Sequence, residues 1–143
     1  CSGCSYDIHG NIPALERGAQ AGRRRGVDRW LLGGDYGTPS PWPLETLDRL
    51  ASSSRDATWI RGNGERWLRE PAARPAGGDG VVRESSAGHL PDEVVDWLYA
   101  LPPQAELDGV LYVHGSPLSD VESFAPQPQA DEAAAAGRRA RPA

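Results

Sequence analysis

The chain has 143 residues, enough for one domain with a real core, and its 38% hydrophobic and 24% charged residues place it among globular proteins, on the polar side of average. No apolar run is long enough to span a bilayer, and the opening CSGCSYDIHG lacks the basic and apolar stretches of a secretory signal, so a cytoplasmic chain without a membrane partner is expected. The net charge of −5, with every one of the 15 basic residues an Arg, argues against a protein built to grip nucleic acid through phosphates.

Cys1 to Tyr6 make a thin first strand leading to Asp7. Cys1 and Cys4 have C-x-x-C spacing, but the redox form needs its first Cys at a helix N-terminus, and no second pair completes a zinc site. Asn11 is placed to cap a helix whose Ile12, Leu15 and Ala19 recur at helical spacing, with Pro13 in the first turn and an end near Arg23 to Gly26. Val27 to Leu32 reads as a buried strand closing on Gly33-Gly34-Asp35. A Pro-rich turn (Thr38 to Pro43) and a helix marked by Leu44, Leu47 and Leu50 follow. Ala57 to Ile60 is the next strand, closing on Arg61-Gly62-Asn63-Gly64.

This alternation predicts an α/β fold with a parallel sheet, whose ligands gather at the carboxyl ends of the strands. Pro71 to Gly88, rich in Pro, Ala, Gly and Ser, reads as a loop. A helix is expected over Pro91 to Leu101, and another strand, Gly109 to Val113, ends on His114-Gly115-Ser116-Pro117. The domain is drawn over 1–126. The tail 127–143 carries Ala133 to Ala136 and several Arg but almost no large apolar residue, so frayed helix or disorder is expected there.

The polar residues at the proposed strand ends are Asp7, His9, Asp35, Asn63 and His114. Carboxylates, imidazoles and an amide together suit borderline divalent metals. A strand period of two would turn Asp7 and His9 to one side while Ile8 faces the core. A single Asp between two such groups can bridge ions about 3.5–4 Å apart. Each residue alone also has a plain structural reading: Asp35 and Asn63 as turn formers, His114 as a satisfied histidine at a strand end. His89 has no motif around it. Arg61 and Arg66 flank Asn63 and could meet a phosphate, although solvated surface is the weightier reading. The five Trp residues are mostly at core-like positions, and no glycine-rich phosphate loop supports a nucleotide-binding module.

Taken in order, Asp7-Ile8-His9-Gly10-Asn11, Gly34-Asp35, Gly62-Asn63-Gly64-Glu65 and His114-Gly115-Ser116-Pro117 resemble the blocks D-x-H, G-D, G-N-[HG]-[DE] and H-G of the calcineurin-like metallophosphoesterases in their small prokaryotic form. The resemblance covers Tyr6 to about Phe124. It implies an α/β four-layer αββα sandwich, here incomplete, and metal-dependent hydrolysis of phosphoester bonds in a small phosphorylated substrate, monoester or diester. It also implies two divalent ions, manganese first, with Fe, Ni, Zn or Co as alternatives. Asp7 and His9 would hold one ion and Asn63 and His114 the other, with Asp35 bridging and Asn63 near the phosphate. A water acidified by both ions would attack phosphorus in line.

Two departures qualify that picture. Gly64 stands where many members carry a His that protonates the leaving group, a loss on the order of 10²–10⁴ in rate. No G-H-x-H follows His114, although that block would complete the coordination of each ion. The expectation is therefore a truncated domain that binds Mn weakly and turns over poorly, with a non-catalytic remnant of the fold as the alternative.

Overall fold

The computed structural model describes residues 2–38, 40, 42–53, 56–74, 90–123 and 130–139. Three short strands form its centre: β1 (Ser2–Ser5), β2 (Arg29–Leu32) and β3 (Thr58–Trp59), hydrogen-bonded in that order and all parallel. Helix α1 (Ile12–Arg24) connects β1 to β2, and α2 (Pro43–Ser53) connects β2 to β3. The α/β fold read from the sequence is what the structure shows.

Local chemistry explains where these elements start. Asn11 caps α1 by accepting from the Ala14 N–H (3.1 Å), Pro13 lies in the first turn, and Arg23 and Arg24 sit in the last, where cations favour the helix dipole. The α2 helix buries Leu47 and Leu50 toward the sheet. Helix α3 (Asn63–Arg69) begins at Asn63 itself, so that amide sits in a helical first turn rather than in a free loop. A single 3₁₀ turn (Pro71–Ala73) follows, α4 spans Asp92–Ala100, and α3 packs against α4. The loop expected over Pro71 to Gly88 lies outside the described residues beyond Arg74, as do His89 and Cys1.

Gly109 to Val113 forms the expected strand, β5 (Val110–Val113), which lies outside the parallel sheet. It pairs antiparallel with β4 (Gln104–Leu107), a strand the sequence reading missed. The Asp108-Gly109 turn between them takes left-handed backbone at both residues, φ 52° and 76°, the geometry of a tight hairpin. A hairpin needs only such a turn, whereas another parallel strand needs a long crossover. The hairpin is tied to the main sheet through the Arg61 N–H, which donates to the Pro102 carbonyl (2.7 Å).

The core gathers Ile8, Leu32, Tyr36, Leu47, Leu50, Leu90, Val95 and Leu98. Tyr36 is fully buried, with its hydroxyl between the carbonyls of Leu32 (2.7 Å) and Ile60 (2.6 Å), joining the ends of the second and third strands. The tryptophans are less buried than expected: Trp42 and Trp97 are exposed, and Trp30, Trp59 and Trp67 are half-buried. Their size makes full burial rare, and Trp59 meets Tyr36 and Trp97 edge-on at the rim of the core. The tail, expected as frayed helix or disorder, contains α5 (Ala130–Arg139). The strong helix propensity of its alanines accounts for that. Among the described residues no helix is long and apolar enough to cross a membrane.

Candidate metal centre

The site begins where the strands stop. Beyond β1 and β2 the backbone ladder runs on, with Gly33 N–H donating to Ser5 O (2.8 Å), Asp7 N–H to Gly34 O (3.2 Å), His9 N–H to Asp35 O (2.9 Å) and Gly10 N–H to Tyr36 O (2.9 Å). The two loops are thereby locked together. Asp7, His9 and Asp35 all adopt left-handed backbone, with φ of 51°, 46° and 54°. Non-glycine residues rarely stay there unless their surroundings impose it.

This corrects the route by which Asp7 and His9 meet. They lie past the end of β1 in a turn, so strand alternation does not apply to them. The turn brings His9 Nε2 to 3.6 Å from Asp7 Oδ1, while Ile8 between them is buried in the core as expected.

All five residues taken from the strand ends converge. Asp35 is in the middle, with Oδ2 3.7 Å from His9 Nε2 and Oδ1 3.7 Å from His114 Nε2. Asn63 Oδ1 lies 3.0 Å from the same His114 nitrogen. One ligand atom from each of Asp7, Asp35 and His114 falls within 4.8 Å of the others. The two sides differ in exposure: the Asp7 and His9 side chains are 60% and 40% exposed, those of Asp35 and His114 only 6% and 7%.

Backbone carbonyls aim both imidazoles. His9 Nδ1 donates to Thr38 O (2.6 Å) and His114 Nδ1 to Gly33 O (2.8 Å). A carbonyl only accepts, so Nδ1 carries a hydrogen, and Nε2 is the nitrogen that each ring turns toward the acidic groups. Histidines that ligate metals are fixed in this way. The Tyr6 ring stacks on His114 at 6.5 Å, and burial pushes its hydroxyl up to about 12.

The electrostatics centre on two buried carboxylates. Burial pushes Asp35 up, while the Gly64 N–H (2.8 Å from Oδ1) and the two histidines pull it back. Glu65 is fully buried and accepts from the N–H groups of Asp35 (2.9 Å), Tyr36 (2.9 Å) and Gly62 (3.0 Å). Burial first and the neighbouring Asp35 second push its carboxyl up, against those three donors. Reading the sequence gave Glu65 no role beyond closing its block; an acidic residue directly after G-N-G was the available signal. The Thr38 and Gly33 carbonyls left none, because every residue has a carbonyl.

The residues present fit divalent cations. Two carboxylates, two imidazoles and an amide are the ligands such ions take, and both histidines offer the correct nitrogen. Glycines give the central carboxylate its room: a Cβ on Gly62 would lie 2.3 Å from Asp35 Oδ1, and one on Gly64 2.9 Å from the same atom.

The neighbouring arginines do other work than expected. Arg66 donates through Nε (2.6 Å) and Nη2 (2.8 Å) to Asp120, so it is a partly buried structural cation rather than solvated surface. Arg61 donates to Tyr99 O (2.7 Å) and lies 4.8 Å over the Tyr99 ring. Both line, with His114, a cavity of about 490 Å³ beside the site. Cys4 is exposed and has no disulfide partner among the described residues.

The family model described as calcineurin-like phosphoesterase matches residues 7–135. The crystal structure of a metallophosphoesterase from Sphaerobacter thermophilus superposes with a TM-score of 0.62 at 23% identity, covering 87% of this chain and 50% of that one. The hypothetical protein PH1004 from Pyrococcus horikoshii OT3 superposes with a TM-score of 0.67 at 19% identity, covering 94% of this chain and 63% of that one. The chain thus spans between half and just under two thirds of the length of these two structures, and likeness at such identities speaks to the fold. A search of curated proteins found no match.

Proposed function

The chain belongs to the calcineurin-like phosphoesterase family, and from that premise we propose that it is a hydrolase of phosphoester bonds working with two divalent cations, manganese foremost. Asp7 and His9 would hold one ion, Asn63 and His114 the other, and Asp35 would serve both. The observation that carries this reading is the Asp35 carboxylate, whose two oxygens face two different histidines at 3.7 Å each. Bound there, the cations supply Lewis acidity, acidifying water and neutralising the charge that grows on a phosphoryl group.

The chain's own residues do the positioning. Thr38 O and Gly33 O keep the two imidazoles turned inward, and the Gly64 N–H holds Asp35 Oδ1. The exposed Asp7–His9 side admits a substrate phosphate from solvent, while the buried Asp35–His114 side strengthens every charge interaction made there. A small phosphorylated molecule is the substrate this opening suits.

A second reading, cation binding with little turnover, is favoured by Gly64, which puts no side chain at the position where an imidazole after Asn63 would protonate a leaving group. One assay separates the two: Mn²⁺-dependent hydrolysis of bis-p-nitrophenyl phosphate, with Asp35→Asn as control. The hydrolase reading expects metal-dependent release that the control abolishes. Tight Mn²⁺ binding without release supports the second reading, and release that persists in Asp35→Asn refutes both.

A further inference from the structure

Glu65 touches no solvent, and the hydrogen bonds its carboxylate accepts from the described residues come from backbone N–H groups. Oε2 accepts from Asp35 N–H and Gly62 N–H, and Oε1 accepts from Tyr36 N–H. Those donors belong to two loops from different strands, one carrying Asp35 and the other leading into Asn63. The exchange runs the other way as well, since the Gly64 N–H donates to Asp35 Oδ1. The loops meet so closely that a Cβ on Gly34 would lie 2.5 Å from Gly62 N.

We infer that Glu65 is a positioning residue for the candidate metal centre: its carboxylate clamps the Asp35 loop to the Asn63 loop and thereby sets where the bridging carboxylate points. Left-handed backbone at Asp35 needs something to impose it, and two of the three N–H groups that Glu65 accepts belong to Asp35 and the residue after it. A carboxylate does this where an amide cannot. Three N–H donors face two oxygens, so a Gln in the same place confronts at least one donor with its own NH₂ group. The Asp35 loop then loses its hold on Gly62, and the two oxygens of Asp35 lose their aim at the two histidines. Groups that orient metal ligands typically change metal affinity by 10–100-fold when replaced.

This inference rests on the two-cation reading above, so the test keeps their failures apart. The full chain and Glu65→Gln are titrated with Mn²⁺ alone, followed by EPR, at a temperature where circular dichroism shows both folded. The expected result is an exchange-coupled two-manganese signal in the parent chain, and in Glu65→Gln a 10–100-fold loss of affinity with the coupled signal replaced by that of isolated ions. Absence of coupling in the parent chain removes the two-cation centre, and this inference with it. A coupled signal that Glu65→Gln retains at parental affinity, even with a lower melting temperature, overturns the role of Glu65 alone. Should the Gln variant fail to fold, hydrogen exchange in the parent chain decides. The amides of Asp35, Tyr36 and Gly62 are expected to exchange slowly and as a set, and rapid or independent exchange overturns the clamp.

Discussion

Gly64 offers the sharpest test of how tightly the centre is built. Gly64→Ala adds one methyl group, which would sit 2.5 Å from Thr38 Oγ1 and 2.9 Å from Asp35 Oδ1. Comfortable contact lies near 3.5 Å, so the hydroxyl must retreat by roughly 1 Å or the carboxylate must yield. Neither is free to do so: Thr38 is buried and β-branched, and Asp35 is held by the Gly64 N–H itself.

Overpacking of this kind costs about 1–3 kcal/mol, and weakening a buried hydrogen bond adds about 1 kcal/mol. Against this, Ala is better than Gly in a helix by about 1 kcal/mol, and Gly64 lies in the first turn of α3. The balance is a loss of about 1–3 kcal/mol, read as a fall in melting temperature of roughly 4 °C per kcal/mol for a chain of this size. Manganese affinity should fall with it, because the displaced group is the Asp35 carboxylate at the middle of the candidate centre. Gly64→His, which supplies the imidazole found in many relatives, should bind manganese worse still. Thr38→Ala should rescue part of the Gly64→Ala defect, since the Thr38 hydroxyl is buried with no hydrogen-bond partner among the described residues. Differential scanning fluorimetry and manganese titration of the two single variants and the double variant make the measurement. A Gly64→Ala chain as stable as its parent, with unchanged affinity, would mean that helix propensity outweighs the contact and that the cradle is loose.

Two further outcomes follow from contacts away from the candidate metal centre. Asp120→Asn removes the bidentate partner of a partly buried Arg66 and should destabilise the chain by about 1–3 kcal/mol in urea unfolding. The Arg66 guanidinium holds the Asp120 carboxyl below its usual range, so the pair's contribution is present above the unfolded value of about 3.9 and is lost as pH falls through the lower folded value. The parent chain should therefore lose stability more steeply than Asp120→Asn below about pH 4, and parallel acid limbs would contradict this. Asn11→Ala removes the cap of α1 and should lower stability by about 1 kcal/mol without moving manganese affinity by more than a few fold.

The sequence by itself determined the order of elements and the chemistry at their ends. Apolar runs closing on Asp35 and Asn63, a capped helix after Asp7-Ile8-His9, and four motif blocks in sequence are local patterns, legible because propensity and capping act over a few residues. Those patterns could not show how the pieces meet. The run ending at His114 was legible as a strand, but its antiparallel pairing with β4 was not, since partner choice depends on which edge lies within reach. Asp7 and His9 reach each other through left-handed turns rather than strand alternation, a conformation the ladder with the Asp35 loop imposes. Glu65 looked like the end of a motif, and its role exists only because three N–H groups from distant stretches converge on it. Residue type is a property of the chain, whereas the direction a donor or a lone pair faces is set by neighbours brought together on folding.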